Sequence, residues 1–193
     1  MIALYAFVII SFFITIVDII IRFPLQSEMI DYNDIQAIVI NVLALLIQIV
    51  SFAYGFVNAI RGMLSPKRMG AVITAFFAAT CITGTGNMVI YSNVQIVLWW
   101  IVLIIPNIVG AVATFAYFVS GKKSKIYSII IYLVAIWGMF RIIYSNYNLI
   151  VHANQYLSMN STVRLVLEIA IHCLVIYQTY VLWIKRQNAT DIS

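Results

Sequence analysis

Stretches of about 20 apolar residues follow one another along this chain with only short polar breaks between them, and that pattern leaves a polypeptide few options. In lipid every backbone N–H and C=O must find its partner within the protein, so a run of this length crosses as an α-helix. Composition agrees: 64% of the 193 residues are hydrophobic and 9% are charged, against roughly half and a quarter in soluble domains. The expectation is an all-α integral membrane protein, a bundle of six transmembrane helices with short loops, forming one transmembrane domain over 1–193. Six spans leave about 60 residues for all loops and tails, fewer than an independent domain usually needs, which excludes an appended soluble catalytic domain.

The spans are expected at 2–22, 35–60, 70–91, 96–119, 126–144 and 163–184. Met1 to Ile21 has no basic leader and no small-x-small cleavage site, so it reads as the first helix rather than a secretory signal. Charge alternates between the connections. Glu28, Asp31 and Asp34 precede the second span, Arg61, Lys67 and Arg68 follow it, Lys122, Lys123 and Lys125 precede the fifth, and Lys185 and Arg186 open the tail. The connections after the third and fifth spans carry neither Lys nor Arg. Because Lys and Arg near helix ends are retained on the cytoplasmic side, the expected topology has both termini inside. Tyr32, Tyr91, Trp99, Trp100, Tyr144 and Tyr147 then fall at the outer boundary and Tyr127 and Trp183 at the inner one, as interfacial anchors.

Ionisable side chains inside spans cost free energy unless they face the bundle interior or water, so they are the candidate site. Asp18 and Arg22 share a face of the first helix, and Arg164, Glu168 and His172 stand at successive i+4 steps on the sixth. Counting about 1.5 Å per residue from each span's middle places Asp18, Arg141 and Glu168 at one depth, roughly 9 Å outside the midplane. They are expected to form a polar network with His172 as a proton-sensitive element. The competing reading is that pairs one turn apart neutralise each other near a helix end.

Ala71, Ala75, Ala79 and Thr83 recur at every fourth residue of the third span and predict a smooth helix-packing stripe. The neighbouring Thr83-Gly84-Thr85-Gly86-Asn87 superficially looks like a potassium filter, but the span needs these residues to cross, so helix is expected. In the fourth span Pro106 removes a backbone donor near mid-membrane, followed by Asn107 and Gly110, and these three are the expected hinge. The run Ile105-Pro106-Asn107-Ile108-Val109-Gly110 resembles the Pro-Asn closing the third helix of SWEET-type sugar carriers and their PQ-loop relatives. That resemblance covers fewer than half the residues, and Phe52-Ala53-Tyr54-Gly55 stands where a Pro-Gln pair belongs.

No H-E-x-x-H, G-x-S-x-G or paired intramembrane Asp motif is present, and Cys81 and Cys173 have neither disulfide-framework nor zinc spacing. The sequence therefore predicts a non-enzymatic protein with no catalytic residue, cofactor or metal. Its net charge of +5 gathers at the inner face. Lys67, Arg68, Lys122, Lys123 and Lys125 are expected to bind anionic lipid or a cytosolic partner there, and nucleic acid is not expected. The favoured expectation is a homo-oligomeric membrane sensor or anchor for a cytosolic partner, for example the membrane subunit of a bacterial stress or anti-phage defence system in the inner membrane. The alternative is a small solute carrier or channel with an outer-leaflet polar vestibule. A carrier needs polar side chains converging at mid-membrane, and the sequence places only Gln48, Asn107 and His172 at that level.

Overall fold

In the computed structural model, residues 2–26, 32–90, 94–121, 124–152 and 159–190 are described, and all of their regular structure is helical. The helices are α1 (Ile2–Gln26), α2 (Tyr32–Ile60), α3 (Pro66–Ile90), α4 (Val94–Thr114), α5 (Lys125–His152) and α6 (Met159–Thr190), with a π-helical turn, Phe115–Val119, continuing α4. Among the described residues, five helical stretches are long and apolar enough to cross a membrane: Ile35–Ile60, Pro66–Ile90, Ile101–Val119, Lys125–Tyr144 and Leu165–Lys185. Among the described residues α1 contributes the apolar helical stretch Tyr5–Val17.

Local chemistry explains the ends. α2 stops in a Schellman motif, in which Met63 N–H donates to Asn58 O at 2.9 Å and Gly62 N–H to Ala59 O at 3.2 Å. Gly62 takes φ of 67°, which a side chain would oppose. α3 starts with Ser65 accepting from Arg68 N–H at 3.3 Å and with Pro66 in the first helical position, where its missing N–H costs nothing. The connection from the π-turn to α5 reverses at Gly121, φ 70°.

Several helices run beyond the expected spans: α1 to Gln26 rather than 22, α3 from Pro66 rather than 70, and α6 to Thr190 rather than 184. The connection placed from Tyr144 to Thr162 is largely helix, since α5 runs to His152 and α6 begins at Met159. Hydropathy reports the apolar part of a helix, and polar residues such as Asn146 and Asn148 can continue it beyond that part. The filter-like run is helical throughout, as expected, within α3.

Each helix packs on its sequence neighbours, and α1 also packs on α6, so the bundle closes into a ring. A small direct contact between α3 and α6 crosses the ring. The short turns after α2 and after the π-turn lie at one end of this antiparallel ring. Toward that end the interior is filled: Tyr5, Val8, Phe52, Met69, Val72, Ile73, Tyr117, Phe118, Ile131, Leu174 and Leu182 form one continuous buried cluster. The outer faces of the helices carry exposed Ile, Val, Leu and Phe, for example Val50, Val112 and Leu133, as lipid contact requires.

Candidate functional site

The ring is hollow where the packed cluster ends. A cavity of about 610 Å³ lies there and takes lining residues from all six helices. α1 supplies Phe12 and Thr15, α2 supplies Asn41 and Gln48, and α3 supplies Phe76, Thr80 and Thr83. Pro106 and Asn107 come from α4, Trp137, Gly138 and Arg141 from α5, and Glu168 and His172 from α6. A cavity of this size falls in the usual range for small-molecule sites, about 300–1,000 Å³.

The polar residues are not spread evenly around it. Following the ring order, α5 and α6 form one wall, and the charged lining residues Arg141 and Glu168 both belong to it. The other helices present uncharged amides and hydroxyls: Asn41, Gln48, Asn107, Thr15, Thr80 and Thr83. Both charged residues are half-buried and engaged in further interactions of their own.

His172 is held in place from three sides. Its Nδ1 lies 2.6 Å from the Glu168 carbonyl oxygen, so Nδ1–H donates and Nε2 is left as the free ring nitrogen of the neutral form. Its ring meets Phe76 edge-on at 5.5 Å between centroids. Nε2 occupies the space that a Cβ on Gly138 would take, so glycine is required opposite the imidazole. The i+4 spacing of Glu168 and His172 creates the first contact, and only the α5–α6 packing creates the last.

The cavity is lined by Arg141 and Glu168, which residue counting puts at one depth with Asp18, and also by His172, which it puts nearer the midplane. Asp18, Arg22 and Arg164 lie on α1 and α6, and their side chains fall outside the described residues. Gln48, Asn107 and His172, read from the sequence as isolated polar residues at one level, share this cavity with six further polar side chains. Thr15, Asn41, Thr80 and Gly138 escaped sequence reasoning. A usable signal was present in α2, where Asn41 and Gln48 stand seven residues apart and so share a face.

The hinge residues also sit at the cavity. Pro106 and Asn107 line it, while α4 runs helically through both. The Asn107 amide donates to Leu103 O at 2.7 Å, a side-chain bond to the backbone beside the donor that proline lacks. Gly110 packs where a Cβ would crowd Val134 and Phe77.

The expected packing stripe changes character along its length. Ala71 is exposed, Ala75 half-buried, Ala79 fully buried, and Thr83 faces the cavity. Four residues turn an α-helix by about 400°, so an i+4 row winds by about 40° per step and cannot stay on one neighbour. Close approaches are found at three glycines of α3: a Cβ on Gly70 would collide with Phe118, on Gly84 with Ile104, and on Gly86 with Ile40.

At the opposite end, Arg68 is not simply a surface charge. One guanidinium nitrogen donates to Asn58 Oδ1 at 2.8 Å and to Met63 O at 2.6 Å, while Asn58 Nδ2 donates to Tyr54 O at 2.7 Å. Arg68 thus fastens the α2–α3 turn. Lys67 and Lys125 are exposed, and Lys122 and Lys123 lie outside the described residues.

Among the described residues no group of three or more His, Cys, Asp or Glu is gathered as a metal site. No protein-family model, curated protein or solved structure matches the chain.

Proposed function

We propose that this protein is a polytopic membrane protein that binds a small polar solute inside its helix ring, as a carrier or channel does. One observation carries the reading: amide, hydroxyl and charged side chains from six helices converge on a single cavity. Polar side chains in lipid cost free energy unless the protein, water or a ligand meets them; Thr15, Thr80 and Asn107 donate to their own helix backbone, and the open space they share with Asn41 and Gln48 is where water or a solute meets the polar groups left over. Pro106 and Asn107 at the cavity wall give α4 a point at which helix bending changes the cavity's shape. The sensor-and-anchor reading rested on a basic inner surface, and Arg68, one of its five members, is occupied in holding a turn.

The membrane arrangement that fits this reading has six crossings and cytoplasmic termini. Lys67, Arg68 and Lys125 follow or precede the turns at the packed end, which the positive-inside rule assigns to the cytoplasm. The cavity then occupies the outer half of the bundle and the packed cluster closes its inner half. In this arrangement the site is reached from outside.

The test is chemical access to the cavity. Thr80→Cys in a background with Cys81 and Cys173 replaced by alanine should react in intact cells with a membrane-impermeant thiol reagent, whereas Ile73→Cys in the packed cluster should not. Equal protection of both positions would overturn the reading. Proteoliposomes should further show solute flux that modification of Thr80→Cys blocks.

A further inference from the structure

Resting on the solute-cavity reading, we infer that the cavity selects a small neutral solute rich in O–H or N–H donors, such as an alcohol with several hydroxyls or an unsubstituted amide. Four lining side chains on four helices already commit a hydrogen to their own backbone. Thr15 Oγ1 donates to Ser11 O at 2.9 Å, Thr80 Oγ1 to Phe76 O at 3.0 Å, Asn107 Nδ2 to Leu103 O at 2.7 Å, and His172 Nδ1 to Glu168 O at 2.6 Å. A threonine hydroxyl has one hydrogen and so does a neutral imidazole, which leaves Thr15, Thr80 and His172 with only lone pairs to offer a solute. Asn107 keeps its Oδ1 and a single amide hydrogen, and Asn41 and Gln48 bring amides that both accept and donate.

The imbalance selects against other solutes. A molecule that only accepts would set lone pair against lone pair at α1, α3 and α6. The lining groups that only donate, Trp137 and Arg141, both stand on α5, and Arg141 is engaged in interactions of its own. A cation supplies donors, but it would give up its hydration shell for uncharged lone pairs, since Glu168, the one carboxylate among the described lining residues, is engaged as well. Several neutral donors match the acceptors without that loss, and Phe12 and Phe76 supply apolar surface for a carbon skeleton.

The experiment follows labelling of Thr83→Cys, a cavity position outside these four, by a membrane-impermeant thiol reagent in the purified full chain, with Cys81 and Cys173 replaced by alanine. The probes are erythritol, urea and acetamide, the fully O- or N-methylated counterpart of each, acetate and methylammonium. At least one of the first three should slow labelling in a saturable way, while its methylated counterpart, which keeps the acceptor oxygens and has no donor, should not. The cavity of about 610 Å³ has room for either member of each pair, so size does not separate them. Thr15→Val and Thr80→Val, which nearly keep the side-chain volume and delete one acceptor, should each raise the half-protecting concentration by about 3- to 10-fold, and Thr80→Ser, which keeps the oxygen, should not. The panel on the unsubstituted cavity decides the matter without them if a variant fails to fold. Equal protection by a methylated counterpart, protection by acetate or methylammonium in place of the neutral donors, or labelling that no probe slows would overturn the assignment and leave the cavity reading intact. If Thr83→Cys alone is unreactive, the panel is read on Thr80→Cys; if both are unreactive, the cavity reading and the assignment fall together.

Discussion

Gln178 Nε2 donates to the Tyr5 hydroxyl at 2.6 Å, joining the last helix to the first across 173 positions of sequence. Both side chains are fully buried, and the contact lies in the packed cluster that closes one end of the ring. Tyr5 also fills the space over Gly55 of α2, where a Cβ would meet its ring at 2.6 Å. One tyrosine therefore sets the spacing of three helices. A hydrogen bond here is costly to break on one side, because the orphaned group has no water to turn to.

Tyr5→Phe and Gln178→Leu should each destabilise the protein by about 1–3 kcal/mol, since each leaves a buried polar group unpaired. The double variant should recover most of that loss by removing both partners. Thermal midpoints in detergent provide the check, and additive losses in the double variant would count against the pairing.

Gly138→Ala should displace the His172 imidazole, because the added methyl claims the position of Nε2. The expected cost is about 1–3 kcal/mol from overpacking. Gly138→Ala combined with His172→Ala should cost less than the sum of the two single changes, by about 1 kcal/mol or more. Failure of the second change to relieve the first would show that the two residues do not meet.

Leucine scanning of α3 should separate its small residues. Ala71→Leu should be tolerated, within about 0.5 kcal/mol, because the side chain is exposed on the outer face. Ala79→Leu should cost about 1–3 kcal/mol or abolish folding, since Ala79 is fully buried. Similar losses at both positions would restore the continuous packing stripe expected from the sequence.

Arg68→Ala should loosen the α2–α3 turn by about 1–2 kcal/mol, and Arg68→Lys should not rescue it, because the one nitrogen that bonds both Asn58 Oδ1 and Met63 O stands a bond further from the backbone than a lysine ammonium does. Asn58→Ala should give a similar loss, and the double variant little more than either single one. Full stability of Arg68→Lys would return Arg68 to the role of a plain cytoplasmic charge.

Reporter fusions after Asn154 and at Ser193 should behave as external and cytoplasmic, respectively. The expectation follows from basic residues in alternate connections. A cytoplasmic signal at Asn154 would remove the sixth crossing and the outward placement of the cavity with it.

The sequence by itself determined that the chain is a membrane-embedded helical protein, because hydropathy over about 20 residues is a local property that lipid reads directly. It also placed Arg141 and Glu168 at comparable depth by counting residues, with His172 nearer the midplane, whereas the turn with Gly62 at positive φ and the Ser65 cap, both local chemistry, came from the structure. Only tertiary structure decided that Thr15, Asn41, Gln48, Thr80, Asn107 and those three face one space. Depth is set along a helix axis, but the direction a side chain points depends on each helix's rotation, and in lipid that rotation is fixed by contacts with neighbours rather than by avoidance of water. The glycines make the same point. Gly84 and Gly138 look alike in sequence, yet one admits Ile104 between α3 and α4 and the other admits the His172 ring into the cavity wall. Their difference comes from which helix closes against them, and that is decided by the ring formed when α6 returns to α1.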